Sequence, residues 1–187
     1  MQQTIKENTN TLGKNAMTYG AITGFALVLI SLLFYSSNLQ NSGYLNFITY
    51  LILGAGVYIG TKNFRDKSLG GYMNYSKSVG SGALICLFSS FILAFYFYIL
   101  YKVIDPNGIQ VLIQTMEENL INQGMPDEQI EMFLEILNKT MTPGIIAFGY
   151  VFSITFYGTI LSLILSFFIK KVKTQKPFDK AMNEIEN

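Results

Sequence analysis

Apolar residues in this chain are gathered into four long stretches that contain no Asp, Glu, Lys, Arg or His. The stretches cover about 17–35, 44–59, 79–101 and 144–169. A helix of about 20 apolar residues crosses roughly 30 Å of hydrocarbon. The pattern therefore predicts four transmembrane helices, at about 16–35, 44–61, 79–102 and 144–169. The first stretch is too long for a cleaved signal peptide, so we expect a retained helix.

The connection between the third and fourth spans keeps a helical periodicity although it is polar. Two sets of apolar residues repeat every three or four positions: Ile109, Leu112, Ile113, Met116 and Leu120, then Ile130, Phe133, Leu134 and Leu137. This spacing predicts two amphipathic helices, a hairpin over about 105–142. Asp105 before Pro106 is predicted to be the N-cap of the first helix. Gly124 suits its end, and Pro126 suits the start of the second helix.

Basic residues predict the orientation of the spans. Eleven lie on one predicted side: Lys6, Lys14, Lys62, Arg65, Lys67, Lys77, Lys170, Lys171, Lys173, Lys176 and Lys180. The other side has Lys102 and Lys139, with seven acidic residues between 105 and 135. Loops rich in Lys and Arg stay in the cytoplasm. We therefore expect both termini, including a tail at 170–187, in the cytoplasm and the hairpin outside it.

Composition supports a membrane protein and narrows the possible chemistry. Only 13% of the 187 residues are charged, against about 25% in soluble domains. There is no His and a single Cys, Cys86, which excludes His-based catalysis, Cys/His zinc sites and an intrachain disulfide. The acidic residues of the hairpin lack the spacing of a calcium loop. We therefore expect no enzyme activity, no metal and no cofactor.

Small residues four positions apart recur on all four predicted spans. The candidate helix-packing residues are Gly20, Gly24, Gly56, Gly60, Ser78, Gly82, Cys86, Ser90, Gly158 and Ser162. Small side chains let helices approach closely in lipid, so the chain is predicted to form a tight bundle. The large residues Phe88, Phe91, Phe95 and Phe97 would then face lipid or a partner. Tyrosines near span ends, among them Tyr35, Tyr96 and Tyr101, are expected at headgroup level.

The connection at 61–78 mixes basic residues with aromatic ones. Such a mixture can bind single-stranded nucleic acid, but beside two spans it favours contact with anionic lipid headgroups. The candidate headgroup contacts are Lys62, Arg65, Lys67, Lys170, Lys171 and Lys173. The lipid bilayer is therefore the expected partner, and nucleic acid is not expected.

Several short segments together resemble a known family. They are YGAITG (Tyr19–Gly24), the glycines of the second span leading to Arg65, GGYMNYSKSVGSG (70–82), IDP (104–106) and the final Lys170-Lys171 pair. In this order they are similar to a domain-of-unknown-function family of small bacterial four-span membrane proteins, number 4199 in its series. The resemblance implies a bacterial inner-membrane location and supplies neither an activity nor functional residues.

The sequence thus predicts an all-α, polytopic membrane protein in a single domain, 1–187, with four transmembrane helices in a bundle and an extracytoplasmic helical hairpin. Its most favoured function is a non-enzymatic packing or interaction module, either a homo-oligomer or a protein that meets a membrane partner through the hairpin. The alternative is a small-molecule carrier or channel subunit. A continuous polar cavity lined by Tyr50, Tyr157, Ser90 or Ser153 would favour the alternative.

Overall fold

The regular secondary structure of the described residues is helical apart from one isolated β-bridge. A computed structural model describes the backbone of residues 2–37 and 43–172 and the side chains of 11–37 and 47–172. Its helices are α1 (Gln2–Ser36), α2 (Gly43–Ser68), α3 (Tyr75–Ile99), α4 (Gly108–Asn122), α5 (Asp127–Thr140) and α6 (Pro143–Ile169). A short π-helical segment, Leu100–Ile104, continues α3. The all-α prediction is confirmed.

Three helices are long and apolar enough to cross a membrane. Within the described residues they are Thr11–Ser36, Tyr75–Ile104 and Pro143–Ile169, with mean hydropathies of 2.0, 2.3 and 2.0. They coincide with the first, third and fourth predicted spans. The second predicted span lies in α2, which is not among these three.

The predicted connection between the second and third spans differs from the structure. The connection expected at 61–78 is much shorter, because α2 continues through Lys62, Arg65 and Lys67 to Ser68. Cations at a helix C-terminus are favourable next to the negative end of the helix dipole, so the basic run extends the helix. The turn then needs Gly70 and Gly71, whose φ angles are 62° and 86°, a region that glycine adopts without strain.

The helix cap predicted at Asp105 is wrong. Helix α4 begins three residues later, with Asn107 at its N-cap position. The π-helical segment is the reason: the Asp105 N–H donates to the carbonyl of Leu100 at 2.7 Å, which makes Asp105 the end of the preceding helix. By contrast, the expected break before the last span is present, and the Thr142 side chain caps α6 by accepting from the N–H of Ile145 at 3.4 Å.

Helix α3 is the centre of the bundle. It packs most extensively against α6 and α1, and α2 contacts all three. The expectation that Phe97 faces lipid or a partner is wrong, since this side chain is only 8% exposed, whereas Phe91 and Phe95 are 53% and 66% exposed. Phe88 is also half-buried and packs against the core. Residues four positions apart on a helix with 3.6 residues per turn differ in direction by about 40°. The buried face of α3 therefore turns around the helix axis between Gly82 and Phe97.

Candidate functional site

A small cavity lies where α1, α3 and α6 meet the start of α4. Its volume is about 80 Å³, and Tyr35, Tyr96, Phe97, Tyr101 and Tyr150 supply most of its aromatic wall. A second cavity of about 100 Å³ shares Ser31, Phe97 and Tyr150 with the first and is lined further by Tyr50 and Ser153. We call these two spaces together the tyrosine cavity, and the end of the bundle that holds it, with α4 and α5, the acidic end.

The rings of the tyrosine cavity are in contact with one another around Phe97. This ring stacks on Tyr150 with centroids 3.9 Å apart and planes at 7°. It also stacks on Tyr101 at 6.0 Å and meets the edge of Tyr96 at 5.1 Å. Aromatic pairs of this kind gain energy beyond the area that they bury. The wall is therefore a connected aromatic surface with hydroxyl groups.

One carboxylate, that of Asp105, lines this aromatic surface. The Tyr35 hydroxyl donates a hydrogen bond of 3.0 Å to Asp105 Oδ2. Asp105 is partly buried, and it takes part in neither of the two ion pairs found among the described residues. The Tyr96 hydroxyl in the same wall is buried and has no hydrogen-bond partner among the described residues. The site thus combines a negative charge, a hydroxyl group with spare hydrogen-bonding capacity, and aromatic rings.

The start of α4 forms the roof of the tyrosine cavity. A Cβ atom on Gly108 would lie 2.7 Å from Asp105 Oδ2 and 3.0 Å from Tyr101 Cε1, so a larger residue here would displace the Asp105 side chain. Val111 and Leu112 of α4 complete the roof. Access to the cavity therefore depends on how α4 sits over the bundle.

A second, more open site is the groove between α4 and α5. Its volume is about 360 Å³, and its lining alternates three acidic and three apolar residues: Glu117, Ile121, Asp127, Ile130, Glu131 and Leu134. Lys139 is the only basic residue of the two helices, and it pairs with Glu135 at 2.6 Å. The groove, which we call the acidic groove, therefore carries uncompensated negative charge beside apolar surface.

The predicted packing glycines all lie at close helix crossings. An added Cβ would meet Phe88 at 2.5 Å from Gly20, Ile92 at 2.9 Å from Gly24, Ile85 at 2.7 Å from Gly60 and Cys86 at 2.5 Å from Gly158. Gly56 lies directly against Thr23, and Gly82 lies directly against Ser162. Gly54 and Gly149, by contrast, have no neighbouring atom within 4 Å of such a Cβ.

The predicted packing residues with polar side chains are also buried between helices. Ser162 Oγ donates to the carbonyl of Val79 at 3.1 Å, and Ser90 Oγ lies 3.1 Å from Thr155 Oγ1. Cys86 and Ser78 have no exposed surface, and the Ser78 hydroxyl has no partner among the described residues. A further link missed from the sequence is Ser89 Oγ, which donates to the Gly20 carbonyl at 3.0 Å. Hydroxyls therefore join α3 to α1 and to α6.

Of the predicted headgroup contacts, Arg65 has a different partner. Its Nη1 donates to the carbonyl of Ile169 at 2.7 Å, and its Nε pairs with Asp66 at 2.7 Å. The hydrogen bond from Arg65 also holds the pKa of the Asp66 carboxyl below its usual value. Arg65 therefore ties the end of α2 to the end of α6, because the last carbonyls of a helix need outside donors.

The remaining predicted cations lie near aromatic rings or on open surface at the same end, which we call the basic end. Lys62 lies over Tyr58, Lys170 over Phe167, and Lys171 over Tyr72, at 5.7, 5.1 and 5.9 Å from the ring centres. Lys67 borders a shallow surface groove with Lys14. Lys173 and the rest of the predicted tail lie outside the described residues.

The basic end is closed by a small core and a β-bridge. Phe64, Met73 and Ile169 are buried together, with Leu12 and Leu69 packed against them. The backbone of Met73 exchanges two hydrogen bonds with that of Lys171, at 2.8 and 2.9 Å. Residues of α1, α2, the turn and the end of α6 thus meet in one cluster.

The tyrosine cavity was not predicted from the sequence, because the position of a tyrosine along a span indicates only its depth in the membrane. Tyr35, Tyr96 and Tyr101 were assigned to headgroup level, although 96, 97, 100 and 101 all lie on one helical face. That face continues the packing stripe of α3, which was the available signal. The contact of Asp105 with Tyr35 joins residues 70 positions apart, and no local pattern contains it.

These features indicate a class of protein, and a comparison with known families supplies the family. Three apolar helices of spanning length, packed through glycines and serines, indicate an all-helical membrane protein. The chain belongs to the family described as "Protein of unknown function (DUF4199)", which it matches over residues 18–171. Comparisons with curated proteins and with solved structures found no match.

Proposed function

We propose that this chain is a four-span protein of the bacterial inner membrane that works as a non-enzymatic interaction module. In this proposal its partner is another protein that places a cationic, amphipathic segment in the acidic groove. The observation that carries the proposal is the groove itself, where the carboxylates of Glu117, Asp127 and Glu131 stand beside Ile121, Ile130 and Leu134.

The chemistry of the acidic groove supports a cationic partner. Apolar contacts supply affinity at an interface, whereas complementary charge supplies specificity and speeds association. Apolar side chains of α5 continue outside the groove, where Met132, Phe133 and Ile136 are 42% to 60% exposed. A segment with Lys or Arg on one face and apolar residues on the other would match both properties.

The packing of α2 supports a fourth span. Helix α2 contacts α1, α3 and α6, and no charged residue occurs in it before Lys62. Phe47, Leu51 and Ile59 are more than half exposed on its outer side, which suits contact with lipid. With α2 as a span, the basic end faces the cytoplasm by the positive-inside rule. Lys62, Lys67, Lys170, Lys171 and Lys173 would then contact anionic headgroups.

The alternative of a carrier or channel subunit is less favoured because of close packing below the tyrosine cavity. Tyr50 and Ser153 line the cavity, but Ser90 is bonded to Thr155. Towards the basic end, Gly158 packs on Cys86 and Gly82 packs on Ser162. A polar path through the bundle would have to separate these contacts.

The test compares two triple variants that remove equal charge from the hairpin. The first, Glu117→Gln with Asp127→Asn and Glu131→Gln, neutralises the groove. The second, Glu118→Gln with Glu128→Gln and Glu135→Gln, is the matched control outside the groove. Each is crosslinked in intact cells and purified in mild detergent, and the captured proteins are identified.

The proposal expects proteins that are captured by the wild type and by the control but lost with the groove variant. Capture that is equal for all three proteins, or lost equally in both variants, would contradict it. Crosslinking to the basic end alone would also contradict it, because recognition would then lie in the cytoplasmic segments.

A further inference from the structure

We propose that the tyrosine cavity binds a small organic cation of the alkylammonium class. This inference is independent of the partner proposed for the acidic groove, since the two sites have different walls and different carboxylates. It rests on three observations: a connected aromatic wall, one carboxylate without an ion pair among the described residues, and a partly open space of limited size.

The aromatic wall is the first observation. A cation over the face of an aromatic ring is attracted by the ring quadrupole, and aromatic cages recognise quaternary ammonium groups in this way. Here the rings of Tyr35, Tyr96 and Tyr101 border the same space as Asp105, and Phe97, which stacks on Tyr150 and on Tyr101, holds this wall together. Phe97 and Tyr101 are each only 8% exposed, so a bound cation would be largely shielded from water. The attraction between a cation and an aromatic ring is stronger when both are shielded in this way.

The carboxylate of Asp105 is the second observation. A partly buried charge costs free energy unless it is paired and hydrogen-bonded. Among the described residues, the hydrogen bond from Tyr35 is the side-chain contact that Asp105 receives. The nearest lysine in sequence, Lys102, is exposed and donates instead to the Tyr98 hydroxyl at 2.7 Å. A cation in the cavity would supply the missing opposite charge.

The size of the space limits the ligand. The two parts have volumes of about 80 and 100 Å³ and share three lining residues. An apolar cavity of about 150 Å³ holds a benzene molecule, and each part is smaller than that. A trimethylammonium group beside Asp105 would therefore extend from the first part into its open mouth or into the second part. A free alkylammonium compound and the headgroup of a lipid share this chemistry, and both could approach from the acidic end.

The experiment uses the full chain in a non-ionic detergent, with choline as the probe and its neutral isostere 3,3-dimethylbutan-1-ol as the comparison. Binding is followed by calorimetry and by tyrosine fluorescence, which is readable because the chain has no Trp. We expect saturable choline binding that is at least about tenfold tighter than that of the isostere, a difference of about 1.4 kcal/mol. This arm needs no variant, so it stands even if a substitution prevents folding.

Two variants then assign the charge. Asp105→Asn should weaken choline binding about tenfold or more and leave the isostere unchanged, whereas Glu118→Gln on the exposed side of α4 should change neither. Displacement of choline by a short-chain phosphatidylcholine below its micellar concentration would assign the headgroup as the source, and its failure would assign a free cation. The inference is overturned by non-saturable choline binding, by equal affinity for the isostere, or by equal losses in the two variants.

Discussion

The guanidinium of Arg65 donates a hydrogen bond of 2.7 Å to the backbone carbonyl of Ile169, 104 positions further along the chain. The acceptor is one of the last carbonyls of α6, which no residue within that helix can satisfy. The C-terminal end of α2 is thereby joined to the C-terminal end of α6, beside the buried core of Phe64, Met73 and Ile169. Arg65 is therefore a structural residue of the basic end.

Loss of this bond should destabilise the bundle. Arg65→Leu leaves the Ile169 carbonyl without its donor, at a cost of about 1–3 kcal/mol. Arg65→Lys keeps the charge but not the forked donor, and we expect an intermediate loss. Thermal unfolding in detergent measures both. Lys67→Leu on the same helix is the control and should have little effect. Equal stability of the Arg65 and Lys67 variants would contradict this role.

The ion pair of Arg65 and Asp66 determines the direction in which the stability of the protein changes with pH. Because the folded state holds the pKa of Asp66 below its usual value, stability from this pair is present above the unfolded pKa near 4. It is lost as the pH falls through the lower folded pKa. Between pH 6 and 3, the free energy of unfolding should therefore fall more for the wild type than for Asp66→Asn. Parallel curves would show that the pair adds no stability.

Packing at Gly82 should be far less tolerant than packing at Phe91. Gly82→Leu would force a large side chain against Ser162 and Val57, and overpacking of this kind costs about 1–3 kcal/mol or more. Phe91→Leu changes a side chain that is 53% exposed and should cost little. Thermal stability in detergent compares the two. If Phe91→Leu is the more damaging, the outer face of α3 is an interface in the assembled protein.

The proposed topology can be tested with single thiols, because Cys86 is fully buried. Ser37→Cys and Ser68→Cys lie at opposite ends of the first two helices. A membrane-impermeant maleimide should label the first in intact cells, and the second only after permeabilisation. The unmodified protein is the control and should stay unlabelled. Labelling of both from outside would mean that α2 does not span.

A pair of reporter fusions tests the sidedness of the hairpin independently. Fusions after Gly124 and at Asn187 should report opposite compartments, with Asn187 in the cytoplasm. This result is expected from the distribution of lysines and arginines. The same compartment for both fusions would contradict the orientation and, with it, an extracytoplasmic acidic groove.

The sequence predicted the helices well because each one follows from a local pattern. The uncharged stretches mark α1, α3 and α6, and the three- and four-residue repeats mark α4 and α5. The small-residue spacing also located Gly82 and Gly158. Local patterns failed at Asp105, where a hydrogen bond to Leu100 outweighs a good capping sequence.

The tyrosine cavity and the role of Arg65 needed tertiary structure. The contacts of Tyr35 with Asp105 and of Arg65 with Ile169 join residues 70 and 104 positions apart. A tyrosine in an outer belt and a tyrosine in a buried wall can occupy the same position along a span, and the sequence pattern is then the same for both. Only the neighbouring helix distinguishes them.

The bridge between Met73 and Lys171 also fixes an order of events during synthesis. The two residues are about a hundred positions apart, and a ribosome that adds about 5–20 residues per second needs about 5 to 20 s to make the intervening chain. Throughout this interval the turn after α2 has been translated, but Lys171, the bridge partner of Met73, has not. The basic end therefore cannot close before the end of α6 has been made, and a ribosome stalled before α6 leaves a nascent chain whose early helices lack this closure.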